Sequence, residues 1–472
     1  MCAALPPPRE RYDTLPDSWP KRSIGWHVAA WMMDHLVQPN GKTAGQPFVP
    51  TQRQLQFLIN YYAINEEGEF IYRRGVRRLA KGSGKSPFAA AFALAELCGP
   101  VRFGGWDDAA LAGINAIPAS MPLVQIVATS ERQTQNTIRM VRAFAAKGTK
   151  LQRKYELDSN KTFIETPFGG RLEQVTSSAH TLEGGEVSAA VCDEVEHWVP
   201  SLGGPEVMRT VLQNAAKVDG ARVLETCNAW VPGEKSTAED TWEAWLDQED
   251  GLTRGDTRIL YDAMIARPNA VLTDEPLEVQ IGVTEELERI YADCSWVNIK
   301  QIKEQIWSPD YPESRSLRFF FNRPTASENA WVTLEEWNLC SKPDREVKDR
   351  EPIVMFFDGS KSDDHTALVG CCLEDGHIFK IGHWRPGASK LIDTHAVNAG
   401  VERAFAKWDV VAFWADVREW ESFTKVTWPE KFGDRLILPA GEKSPIAWDM
   451  RTHAREFAEA AEAAFTEITQ QE

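Results

Sequence analysis

Short apolar runs alternate with helix-spaced segments through the first half of the chain. The strand-like runs are FIYRRGVRRLA (70–80), LVQIVAT (123–129), FIETPFGGRLEQVT (163–176), VSAAVCDE (187–194) and RVLETCNA (222–229). Alternation of this kind over residues 46–240 predicts an α/β domain with a mainly parallel sheet. Residues 1–45 read as an irregular N-terminal extension with one helix in WHVAAWMMDHLV (26–37). From 241 to 345 the pattern turns helical, as in TEELERIYADC and WVNIKQIKEQIW, with proline breaks, and predicts a linker or lid. Strands return in 346–472 with EPIVMFFDGS, HTALVGCCLED, GHIFKIGHW and VVAFWADV, which predict a second α/β domain ending in an amphipathic helix, THAREFAEAAEAAFTEI.

Composition narrows the class. A chain of 472 residues needs more than one core. Its 43% hydrophobic and 26% charged residues are those of globular domains, and no apolar run is long enough to span a membrane. The Pro-rich, charged start lacks the plan of a signal peptide, so a cytoplasmic protein is expected. Eight cysteines without a C-x-x-C pair argue against both a disulfide framework and a zinc site, and Cys371 and Cys372 are expected to be reduced core residues. A net charge of −17 argues against a protein that coats nucleic acid, though not against an enzyme that holds DNA with a few local cations.

The candidate chemistry begins where the first strand meets the Ala-rich helix, at LAKGSGKSPF (79–88). A Walker A loop reads G-x-x-x-x-G-K-[ST]. Gly84, Lys85 and Ser86 fill its last three positions, while the first falls on Leu79 and leaves Gly82 to supply the turn. Glycines let backbone N–H groups face phosphate oxygens, Lys85 reaches the β- and γ-phosphates, and the Ser86 hydroxyl holds Mg²⁺. Pro87 sits just inside a helix whose positive end faces the anion. Taken alone, these residues are equally a glycine turn ahead of a helix. The second part is Asp193-Glu194 at the end of an apolar strand, where a Walker B Asp holds Mg²⁺ and its neighbour polarises the attacking water. Two strand candidates separate it from the loop, and the two motif strands are expected to lie side by side. Thr226 and Asn228 end the next strand, where they can sense the γ-phosphate. Ser130, Glu131, Arg132 and Gln133 follow LVQIVAT at the kind of strand end where α/β sites gather.

A second set of carboxylates lies in 346–472. Asp358 ends one strand and Asp416 another, with Asp363 and Asp364 in the turn after the first. Two strand-end carboxylates can share a pair of Mg²⁺ or Mn²⁺ ions for phosphodiester cleavage. A turn aspartate and a surface cap are the plainer reading.

These segments together resemble the large terminase subunit of tailed bacteriophages, in the form found in actinobacterial phages. The run from FIYRRG to GGWD resembles that family's Walker A region. VQIVATSERQTQNT, VCDEVEHW and VLETCNAW follow in the family's order, and PTQRQLQFLINYYAINEEGEF resembles the segment whose Gln contacts adenine. FFDGSKSDDHTALVG and FWADVREW resemble the first acidic strands of its RNase H-like nuclease domain. The resemblance implies a P-loop ATPase domain followed by an RNase H-like nuclease domain, and a motor that drives double-stranded DNA into the procapsid and cuts concatemers. By position it implies phosphate binding by Gly82, Gly84, Lys85 and Ser86. Asp193 becomes the Walker B acid, Glu194 the catalytic base, and Thr226 and Asn228 the coupling motif. ATP and Mg²⁺ are the implied cofactors, with Mn²⁺ an option in the nuclease, whose ligands become Asp358, Asp416 and Asp364. The implied partners are DNA, the portal protein and the small terminase subunit, with a homo-oligomeric ring at the portal vertex in the host cytoplasm. Arg73, Arg74, Arg77 and Arg78 all offer themselves as the arginine that stabilises transition-state charge. A third nuclease acid has no clear match, with Asp449, Glu456 and Glu459 as substitutes, so the nuclease domain is expected to be incomplete at its C-terminus. Another DNA-dependent P-loop ATPase of helicase type and a catalytically degraded relative remain alternatives.

Overall fold

The computed structural model describes residues 12–129, 131–160, 162–176, 184–255, 258–277, 279–325, 332, 334–342, 344–361, 364–386 and 391–470. Ser130 and Asp363, and the side chains of Glu131, Arg132 and Gln133, lie outside the described residues. The chain forms two compact units, Met1–Asn329 and Ala330–Glu472.

The first unit is built on strands β1 (Tyr72–Arg78), β4 (Leu123–Ala128), β5 (Asp158–Ser159), β6 (Phe163–Glu165), β7 (Arg171–Thr176), β8 (Ala189–Cys192), β9 (Arg222–Cys227) and β10 (Arg258–Ala263). A separate small ribbon pairs β2 (Arg102–Trp106) with β3 (Ile114–Ile117). The main sheet runs β10-β1-β9-β8-β4-β7-β6-β5; the first six strands are parallel and the last two form an antiparallel edge. Strands buried on both faces read as continuous apolar runs, as in β8 (AAVC) and β4. Helix Lys85–Cys98 packs against the sheet with Ala89, Ala90, Ala91, Ala93 and Ala95 all fully buried, because small side chains let it lie close to β4, β8 and β9.

Three expectations need correction. The two motif strands are not neighbours, since β9 lies between β1 and β8. FIETPFGGRLEQVT is a hairpin rather than one strand: the Pro-Phe-Gly-Gly segment turns the chain, with Gly169 at φ +82°. RILYDA (258–263), inside the segment read as helical, is the edge strand β10 paired in parallel with β1. Asp262 on β10 accounts for Arg77 of β1: its carboxylate accepts from Arg77 Nε at 2.8 Å and from Arg53 Nε, on the helix Gln52–Tyr61, at 2.7 Å. The helix foreseen near residue 26 spans Gly25–His35 and buries Val28, Trp31 and Met32.

In the second unit a four-stranded sheet runs β13 (Ile378–Trp384), β12 (Thr366–Cys372), β11 (Pro352–Asp358) and β14 (Asp409–Ala415). The first three strands form an antiparallel meander and β14 adds parallel to β11, which is the RNase H-like arrangement. Ile353, Met355, Phe357, Val401, Phe413 and Trp428 make its core, and Cys372 is buried with them.

Candidate functional site

The loop after β1 carries its left-handed residues at Gly82 (φ +91°) and Gly84 (φ +78°), and helix Lys85–Cys98 starts directly behind it. Leu79 is not among the positive-φ residues, and its side chain is 4% exposed, so nothing in the fold asks for glycine there. The missing first glycine of the motif is thus a core leucine in ordinary backbone. Returning Leu79 to Gly should cost about 3 kcal/mol from lost burial and added backbone freedom, without raising hydrolysis. A denaturant titration of L79G beside wild type checks this; unchanged stability would refute it.

Lys85 Nζ donates to the carbonyls of Leu79 (2.6 Å) and Ala80 (3.2 Å), folding back over its own loop. Asn228, just beyond β9, donates through Nδ2 to the same Leu79 oxygen at 2.8 Å. Asp193, just beyond β8, is 2% exposed, and both of its oxygens are held: Oδ2 accepts from Thr137 at 2.5 Å and Oδ1 from Thr226 at 2.5 Å. Burial raises its pKa, against the lowering by these hydroxyls and Lys85. Glu194 sits at φ +55°, a left-handed conformation that costs a non-glycine residue on the order of 1–3 kcal/mol and that gathers at functional sites. Its carboxyl is raised by burial and then by Asp193. The ends of β1, β8 and β9 therefore bring Lys85, Asp193, Glu194, Thr226 and Asn228 to one loop. Among the described residues the Ser86 hydroxyl has no hydrogen-bond partner.

Sequence reasoning missed Glu196. It lies in the single turn Val195–His197, is 6% exposed, and has no hydrogen-bond partner for Oε2 among the described residues. Burial pushes its pKa up to about 8, against the lowering by nearby Lys85. The D-E-V-E spacing was the available signal. The unfolded chain ionises this group near 4.5, while the folded chain keeps the proton to about 8. Its stabilising contribution is complete below pH 4.5 and is lost as pH rises to about 8. Without nucleotide, Glu196→Gln should melt above wild type at pH 9 and with it at pH 5; equal melting at both pH values would refute this.

The four arginines are not aimed at the loop. Arg77 is buried against Asp262, Arg78 donates to the Asn322 carbonyl at 2.8 Å, and Arg74 pairs with Glu225. Arg73 is 42% exposed and lies 3.8 Å from Asp219. On a strand packed from both sides, guanidinium groups are held by buried carboxylates and carbonyls.

In the second unit Asp358 and Asp416 close two adjacent parallel strands. Phe357 faces Ala415, and the Asp416 amide donates to the Phe357 carbonyl at 2.9 Å. Partial burial raises the Asp358 pKa, and the charges of Asp416 and then Asp364 raise it further. Asp449 lies beside this pair, since the next amide, Met450 N–H, donates to Asp416 Oδ1 at 3.3 Å. Its carboxylate is turned onto Arg451 (2.8 Å), which lowers its pKa to about 2. Glu456 and Glu459 lie on the exposed helix Ala454–Gln470, with Glu459 paired to Arg455. Among the described residues no three His, Cys, Asp or Glu side chains form a ready metal cluster.

A parallel sheet with a glycine loop, a buried acid and a polar strand end beside it defines a P-loop NTPase unit, here in one chain with an RNase H-like unit. No protein-family model matches the chain. It is 35% identical over 488 residues to the Gene 13 protein of Mycobacterium phage D29, across 94% of this chain and 81% of that one. With the Gene 13 protein of Mycobacterium phage L5 it shares 34% identity over 493 residues, across 94% and 82%. Its fold is similar to the crystal structure of the HK97 bacteriophage large terminase, with a TM-score of 0.50 at 14% identity, covering 95% of this chain and 89% of that one. The chain belongs to the large terminase family of tailed bacteriophages.

Proposed function

We propose that the first unit hydrolyses ATP to drive double-stranded DNA into a procapsid and that the second cuts concatemeric DNA. The convergence of three strand ends on one loop carries the reading. Lys85 and Asn228 share the Leu79 carbonyl, while Thr226 and Thr137 hold Asp193. Gly82 and Gly84 leave the loop backbone open to phosphate, Lys85 supplies the cation, and Glu194 orients water. Asn228 would report loss of the γ-phosphate through the carbonyl it shares with Lys85.

The residues fit a divalent cation at both places. Asp193 is a buried carboxylate with both oxygens aligned by hydroxyls, and Ser86 opens the helix beside the loop. Asp193 and Ser86 would hold Mg²⁺, which would supply neutralisation of phosphate charge. Asp358, Asp364 and Asp416 act on one another as like charges that a cation relieves. Mg²⁺ or Mn²⁺ there supplies Lewis-acid activation of water. Double-stranded DNA, a portal protein and a small terminase subunit are the partners this reading requires, with a ring of copies at the portal vertex in the host cytoplasm. Among the described residues no helix is long and apolar enough to cross a membrane. A helicase reading needs a second phosphate loop, and residues 346–472 contain no further glycine-Lys-Ser motif. The test is DNA-stimulated ATP hydrolysis. Glu194→Gln should bind ATP and fail to turn it over; hydrolysis at the wild-type rate would reject the assignment.

A further inference from the structure

One six-residue turn, Tyr291 to Trp296, is stitched to both the phosphate loop and the helix Gln52–Tyr61. The Tyr291 hydroxyl donates to the Lys81 carbonyl at 2.7 Å, and Trp296 Nε1 donates to the Gly82 carbonyl at 2.8 Å. Asp293 accepts from the Thr51 hydroxyl and, at 3.3 Å, from the Arg53 amide, so it closes the N-terminus of that helix. Trp296 meets the loop with the edge of its ring. A Cβ placed on Gly84 would lie 2.9 Å from indole Cζ2, and Gln54 Nε2 lies 3.8 Å from the same point. This edge contact explains why position 84 must be glycine beyond its positive φ. Trp296 itself is 41% exposed. Trp307, also exposed, differs: Lys303 Nζ lies over its ring at 4.8 Å.

A large, partly exposed ring is thus held by its edge at the mouth of the loop, with the Gln54 amide side chain beside it. We propose that Trp296 is the wall on which the base of the bound nucleotide stacks. This inference rests on the nucleotide reading of the loop and adds to it the group that distinguishes a nucleotide from bare polyphosphate.

The test compares ATP with inorganic tripolyphosphate, each titrated with Mg²⁺ into the full chain. In W296A the ATP affinity should fall roughly five- to a hundredfold, the range of base–aromatic stacking, while tripolyphosphate affinity stays at the wild-type value. W296F keeps a ring but loses the indole N–H, and should hold ATP within about threefold of wild type, because the stacking face remains. Should W296A lose its fold, W296L carries the same comparison. Equal loss of both ligands in W296A would overturn the proposal, since Trp296 would then be only a brace for Gly82. Unchanged ATP affinity in W296A, or a fall in W296F as deep as in W296A, would also overturn it. A wild-type chain that binds neither ligand would instead reject the phosphate-loop reading, and this inference with it.

Discussion

Lys85→Ala should leave less than about one per cent of DNA-stimulated ATP hydrolysis, since removing one charge-stabilising donor at a phosphoryl or acyl centre costs on the order of 10²–10³ in rate. The structure shows why this variant should nevertheless fold. Among the described residues Lys85 Nζ is hydrogen-bonded to the carbonyls of Leu79 and Ala80, and the Leu79 oxygen keeps its bond from Asn228 when the lysine is gone. The helix behind the loop is anchored by Phe88, Phe92 and a row of buried alanines, none of which the substitution touches. Loss of turnover with an unchanged circular dichroism spectrum and melting profile is therefore the expected pair of results. Turnover within about tenfold of wild type would place phosphate binding elsewhere.

The second large effect belongs to Asp358. On the proposed nuclease reading, Asp358→Ala should abolish Mn²⁺-dependent plasmid cutting while DNA-stimulated ATP hydrolysis continues. The stability change should be small and favourable. Asp358 sits at a strand end where partial burial, and then the charges of Asp416 and Asp364, disfavour its ionised form. Removing one of a set of like charges relieves that repulsion. A residue kept for structure would show the opposite, with lower stability and intact chemistry. Undiminished cutting by the variant would remove Asp358 from the site.

The sequence made part of this legible because some signals are local. Gly82, Gly84, Lys85 and Ser86 are contiguous, and a glycine turn into an Ala-rich helix is written in neighbouring residues. Asp193-Glu194 was equally visible, since an apolar strand ending in two acids needs no partner to be recognised. What failed was long-range. The order β1-β9-β8 depends on which strand inserts between two others, and nothing in the runs themselves encodes it. β10 was hidden because RILYDA is short and lies among helical segments; only pairing with β1 and the Asp262–Arg77 bond make it a strand. Arginines in FIYRRGVRR read as candidates for stabilising transition-state charge, because a sequence does not show the carboxylates and carbonyls that hold them. Glu196 was passed over for its neighbour Glu194, and Trp296 stands more than two hundred positions from the glycine it touches.

The clasp on the phosphate loop bears on how this chain comes off the ribosome. The motif residues 79–86 emerge early, yet the Lys81 amide waits for the Phe319 carbonyl, Lys81 and Gly82 carbonyls wait for Tyr291 and Trp296, and β1 lacks its edge neighbour until residue 258. A nascent chain that has cleared the exit tunnel only as far as residue 240 carries the whole Walker sequence without the contacts that set its shape. On the proposed reading, nucleotide binding is then expected late in synthesis, once the helices beyond β10 have docked on the loop.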